Sequence, residues 1–163
     1  MGISGTKGIK MKLAEALLLR SDQQKKLASL KQLINANVLV QDGDEPSEDR
    51  NELIKQVFAL TQESNQLICR IHLTNAQAKL EDDKILLSLL SLRDSYAEQH
   101  KILIDAIANT HREPDRYSAR EIKWQKVIPV SILQKQADDI SLKLRDLNVL
   151  IQSNNWKIDL IEA

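Results

Sequence analysis

Apolar residues recur at alternating steps of three and four in four separate stretches of the chain. That spacing is one face of an α-helix, and here it is narrow enough to be a packing seam. The cleanest example is the last: Leu133, Ala137, Ile140, Leu144, Leu147 and Ile151. A first stripe, Leu13, Leu17, Arg20, Gln24, Leu27, Leu30 and Ile34 with Ala16 and Leu33 beside it, predicts a helix over about 12–36. A second, Leu53, Val57, Leu60, Ser64, Leu67, Ile71, Thr74 and Ala78, predicts one over about 47–78. A third, Leu86, Leu89, Leu92, Tyr96, Leu103 and Ile107 with His100 between, predicts one over about 82–110. The fourth helix is expected from Ser131 to about Asn154, with Ser131 and Gln134 in capping-box spacing behind Pro129.

Acids gather where helices two and three begin: Asp44, Glu45, Glu48 and Asp49, then Glu81, Asp82 and Asp83. Negative charge there complements the helix dipole. Residues 38–41 and 122–128 read as short extended pieces, from β-branched residues in the first and polar–apolar alternation in the second. Four long helices with short links imply an all-α fold, either an antiparallel four-helix bundle or two helical hairpins. Residues 1–10, with three of the four glycines and no apolar core, read as a leader or disordered arm before a single domain over 11–163.

Composition narrows the functional classes. The 163 residues carry 23 Lys+Arg against 23 Asp+Glu, so a balanced chain has no general attraction for nucleic acid or anionic lipid. Aromatics are 3%, which leaves an aliphatic core. Cys69 is the single cysteine, so no intrachain disulfide forms, consistent with a reducing cytoplasmic compartment. It sits between Ile68 and Ile71 and reads as a small core residue. No apolar run approaches the ~18 residues that a membrane span needs.

Candidate chemistry is sparse. No Glu-x-x-His or His-x-x-x-His spacing is present, so neither a metal nor another cofactor is expected. The acidic loop fails the calcium-loop pattern, because Pro46 and Ser47 interrupt it. Arg20, Asn65, His72, Asn75, Arg93, His100 and Arg145 fall on or beside the stripes. A charge in a core demands a partner, and Asp94, Asp138, Asp139 and Asp146 are candidates. The bland reading is an ion-pair network that sets helix register, or stripe-edge residues whose heads reach water; the sharper one is a polar pocket inside the bundle. The stretch Arg116, Tyr117, Arg120, Lys123, Trp124 and Lys126 joins basic and aromatic side chains. That chemistry suits single-stranded nucleic acid or a nucleotide, or docking on the acidic loop of the same chain or a neighbour.

Several short strings together resemble the septicolysin-like family of small bacterial helical proteins. They are KLAEALLLR at 12–20, GDEP at 43–46, Thr74-Asn75, LRD at 92–94, RYS and EIKW across 116–124, LQKQAD at 133–138 and IQSNNW at 151–156. The resemblance covers nearly everything after Met11, and the family name implies a pore-forming cytolysin. The link after Asn75 departs from the expected pattern by lacking a glycine. The motifs single out Glu45, Asn75, Arg93, Asp94, Arg116, Tyr117, Glu121, Lys123, Gln134, Asn155 and Trp156 as a candidate ligand site. Three functions follow as alternatives: a non-enzymatic cytoplasmic bundle that forms a homo-oligomer, a cytolysin, and a small-molecule or nucleotide binder or enzyme using the Arg/Asp/Tyr cluster. Apolar residues beyond the seams, among them Leu18, Leu19, Leu87, Leu90, Leu160 and Ile161, favour the first.

Overall fold

The computed structural model describes residues 10–39, 43, 49–110, 125 and 127–162. They form four helices, α1 (Leu13–Asn37), α2 (Arg50–Gln77), α3 (Leu86–Asn109) and α4 (Val130–Lys157). Among the described residues the only extended pairings are two isolated bridges, Lys12 with Asp159 and Lys79 with Ile85.

Local chemistry sets the helix ends. Asp49 caps α2, its carboxylate accepting from the Asn51 amide at 2.9 Å. At α1 the Glu15 carboxylate reaches back to accept from the Lys12 amide at 2.7 Å. The start of α3 lies four residues past the expected one, at Leu86 rather than Asp82. Asp82 serves the turn instead, paired with the Lys84 ammonium at 2.6 Å. The Leu80 amide donates to the Lys84 carbonyl, and Asp83 takes φ 59°, in the left-handed region. An aspartate therefore holds the conformation for which glycine is usual. The expected Ser131/Gln134 capping box does not form. Pro129, with φ −60°, occupies the N-cap, so α4 begins one residue earlier, and Gln134 donates to Asp138 at 2.9 Å. Val38 is helical in φ and ψ rather than extended, because it closes the C-terminus of α1. Residues 40–41 lie outside the described residues. So do 122–124 and 126, and Val127 and Ile128 bend rather than extend.

The seams run as expected in α2 and α4, where every named stripe position is buried or half-buried. Two positions move. Arg93 rather than Leu92 lies on the α3 seam, and Gln23 rather than Gln24 on that of α1. In each case the 3,4 alternation shifts the polar residue inward by one step.

The hairpins α1–α2 and α3–α4 pair along their lengths, whereas α1 with α4 and α2 with α3 meet far less. The distribution of core residues explains this. One cluster joins Leu13 and Ala16 of α1, Leu67 and Ile71 of α2, Leu86 and Leu89 of α3, and Leu147 and Ile151 of α4. It lies where α1 and α3 begin and α2 and α4 end, so each hairpin is antiparallel. A second cluster, Leu30, Leu53 and Leu60, belongs to α1–α2 alone. The fold is thus two helical hairpins joined at one end by a four-helix junction. Beyond that junction each helix buries little more than its own seam, as expected for a helix with one neighbour.

The residues just before α1 and just after α4 clasp the junction. The Leu13 amide donates to the Ile158 carbonyl at 2.9 Å and the Leu160 amide to the Met11 carbonyl at 2.8 Å. Leu160 is buried against the junction core. Thr74, fully buried, accepts from the Ile161 amide at 3.0 Å and donates to the Arg70 carbonyl at 2.7 Å, while Arg70 Nε donates to the Ile161 carbonyl at 3.0 Å. The Lys12 ammonium meets Asp159 at 2.6 Å.

Candidate functional site

The described motif residues are spread over α2, α3 and α4. Asn75 is half-buried in the last turn of α2, and Asn155 is half-buried near the end of α4, both beside the junction. Trp156 is exposed in the last turn of α4. Gln134 is exposed in its second turn. Twenty-two residues at 1.5 Å rise separate Gln134 from Trp156, about 33 Å, so no single small ligand touches both. Arg93 and Asp94 sit on α3, where the guanidinium donates to its neighbour's carboxylate at 2.8 and 3.0 Å. Glu45, Arg116, Tyr117, Glu121 and Lys123 lie outside the described residues, as do Arg120, Trp124 and Lys126.

Of the two structural alternatives, the described stripe charges Arg93 and Arg145 fit edge residues that reach water, not an internal ion-pair network. Arg93 pairs with Asp94 and Arg145 with Asp146, each within one helix and each with a largely exposed carboxylate. Adjacent exposed pairs of this kind contribute little to stability and do not fix register. Asp138 accepts from Gln134, also within α4. The junction instead uses Arg70 and Thr74 to hold the tail. Arg70 had no signal in the stripe pattern, whereas Thr74 was visible as a polar residue on the α2 seam. Near the middle of α1 the Arg20 Nε and Gln23 Oε1 atoms are buried without hydrogen-bond partners. Cys69 is exposed, not in the core, because it lies opposite the α2 seam.

Two carboxylates are tuned by neighbouring lysines. Asp159 is held below the ordinary 3.8 by the Lys12 hydrogen bond, and Asp82 by that of Lys84. Both are exposed structural pairs outside any cleft. Among the described residues no group of three His, Cys, Asp or Glu side chains is placed to hold a metal ion. No described helix is long and apolar enough to cross a membrane.

What the surface does offer is apolar. A shallow groove of about 410 Å³ between α3 and α4 has Ile102, Leu103 and Ile140 on its floor and Gln99, Gln136, Asp139 and Lys143 around it. Phe58, the chain's single phenylalanine, is 68% exposed on α2. On α4, Leu142, Val149 and Trp156 are exposed at 49%, 65% and 57%. They recur every seven residues, a second stripe that escapes a search for one seam per helix.

The chain matches a family of unknown function (DUF6847) over residues 20–160. It is also similar to a functionally unknown conserved protein from Corynebacterium diphtheriae, known from a crystal structure. The two are 33% identical, the match covers 94% of this chain and 100% of that one, and the TM-score is 0.83. No curated protein matches. Neither similarity indicates a septicolysin-like family, and the resemblance carried by the short motifs is overturned by the match over 20–160. The chain belongs to the family of unknown function DUF6847.

Proposed function

We propose that this protein is a non-enzymatic, cytoplasmic helical protein that works by associating with copies of itself. The observation that carries the reading is the number of large apolar side chains left exposed outside the seams. Leu18, Phe58, Ile102, Leu142, Val149 and Trp156 are all on well-formed helices, not in loops. Scattered single residues of this kind are ordinary, but aligned ones mark contact surfaces. Balanced charge supports association of like chains, because two copies do not repel one another through net charge. The dispersal of the polar candidates over about 33 Å speaks for a surface role over a catalytic one. An exposed lone thiol at Cys69 fits a reducing compartment. The test is the mass of the untagged protein in solution by sedimentation velocity between 2 and 200 μM. Association above 18.5 kDa supports the reading, and a strict monomer over that range contradicts it.

A further inference from the structure

We infer that Arg20 and Gln23 of α1 form the core of a binding site for a small oxyanion that carries a hydroxyl, protonated phosphate being the simplest case. The site does not depend on how copies of the chain associate.

The α1–α2 seam is apolar at both ends and polar in the middle. On α1 the junction core reaches Leu17, and the outer cluster resumes at Leu27. On α2 the matching gap falls between Leu67 and Leu60, with half-buried Ser64 in it. Because the two helices are antiparallel, both gaps lie at one height. Arg20 and Gln23 fill the gap from α1, three residues apart and therefore neighbours on the inward face.

A charge set between two apolar clusters requires a counter-charge. Arg20 has none among the described residues. Its Nε is covered and donates to nothing, and the covered Gln23 Oε1 accepts from nothing. The acids nearby on α1 are engaged elsewhere, Glu15 with the Lys12 amide and Asp22 with Lys25. Glu63 of α2 is exposed. Arg93 shows the contrast. It stands seven residues past Leu86 as Arg20 stands seven past Leu13, so both lie one heptad beyond the junction core. Yet Arg93 holds the Asp94 carboxylate at 2.8 Å.

The two orphaned atoms specify the ligand. The Nε–H group demands an acceptor, and the guanidinium charge favours an anionic one. The Gln23 Oε1 atom demands a donor, which a fully deprotonated anion such as sulfate lacks. A protonated phosphate offers both, an anionic oxygen for Arg20 and a hydroxyl for Gln23. A water would satisfy the two hydrogen bonds and leave the charge unmatched. Arg20 and Gln23 are each only half-buried, so a side-chain rotation admits the ligand, the ordinary scale of change on binding.

Arginine Nε–H groups give separate signals in 1H–15N NMR spectra, so Arg20 reports directly in the full chain. Sodium phosphate is titrated to 20 mM at pH 6.5, with sodium chloride holding ionic strength constant. The Arg20 Nε–H signal is expected to move with one-site saturation. Arg70 Nε–H, already bonded to the Ile161 carbonyl, is expected to stay in place. Sulfate should bind at least about ten-fold more weakly, the loss of one hydrogen bond to a charged group. Arg20→Gln assigns the signal by removing it and should abolish the saturable response of the Gln23 amide, with helical circular dichroism unchanged. Gln23→Met, a second variant of similar volume, should weaken phosphate by about ten-fold. An Arg20 signal that does not saturate, or that moves no more than that of Arg70, overturns the site and leaves an ordered water as the partner. Sulfate binding as tightly as phosphate overturns the hydroxyl requirement at Gln23.

Discussion

Replacing Ile71 by alanine should cost far more than the same truncation at Leu60, although both lie on the α2 seam. Ile71 is 1% exposed and belongs to the junction cluster fed by all four helices. Leu60 is 8% exposed and belongs to a cluster confined to α1–α2. Removing three carbons at either site forfeits about 2.4 kcal/mol of transfer free energy. At Ile71 the surrounding helices are pinned by one another and by the tail, so the cavity persists and adds up to ~2 kcal/mol. At Leu60 the two helices have solvent on their far sides and close in, so the added cost is small. The expected totals are about 4 kcal/mol for Ile71→Ala and about 2.5 kcal/mol for Leu60→Ala. Urea denaturation followed by helical circular dichroism reads the difference. Hydrogen exchange adds its location: Leu60→Ala should speed exchange in the outer halves of α1 and α2 and leave α3–α4 unchanged. Equal costs at the two sites, or a greater cost at Leu60, would refute the two-hairpin architecture with a single junction.

Three further outcomes follow from the same contacts. Asp83→Gly relieves a left-handed residue in the α2–α3 turn and should stabilise the protein by about 0.5–1 kcal/mol, the relief exceeding glycine's greater unfolded-state entropy; a fall in thermal midpoint would contradict it. Asp159 has a folded pKa below its unfolded 3.8, so its contribution is present above that value and fades as pH falls through the folded pKa. The midpoint gap between the unmodified protein and Asp159→Asn should therefore be constant above about pH 5 and close below pH 4, and a gap that widens in acid would show that Lys12 does not stabilise the carboxylate. Asp94→Ala should change stability by less than about 0.5 kcal/mol, since its pair with Arg93 is local and exposed; a loss above about 2 kcal/mol would restore the register-setting network.

The helices were legible because burial and sequence share a period. Leu53 through Ala78 and Leu133 through Ile151 repeat in threes and fours, and the structure buries those positions. The ends were less legible, since several residue types compete for each cap. Asp82 suited a helix start and equally a turn with Lys84, and the turn prevailed because the chain must reverse within eight residues between Gln77 and Leu86. Whether four stripes make a closed bundle or two hairpins is decided by what lies beside each seam, and a single-stripe reading discards those positions. Leu92 and Cys69 differ from expectation for that reason: Leu92 lies one step off the α3 seam, and Cys69 lies on the far side of α2 from Leu67 and Ile71. Among the described site candidates, Gln134 and Trp156 lie towards opposite ends of α4, a separation that residue type alone does not encode. The clasp of Thr74, Arg70 and Ile161 joins residues about ninety apart in sequence, beyond the reach of any local pattern.

Sedimentation velocity of the untagged full chain across 2 to 200 μM tests the central claim, that this fold exists to meet its own kind. A concentration-dependent rise from 18.5 kDa to twice that mass is the predicted result. A single 18.5-kDa species at every concentration would contradict it.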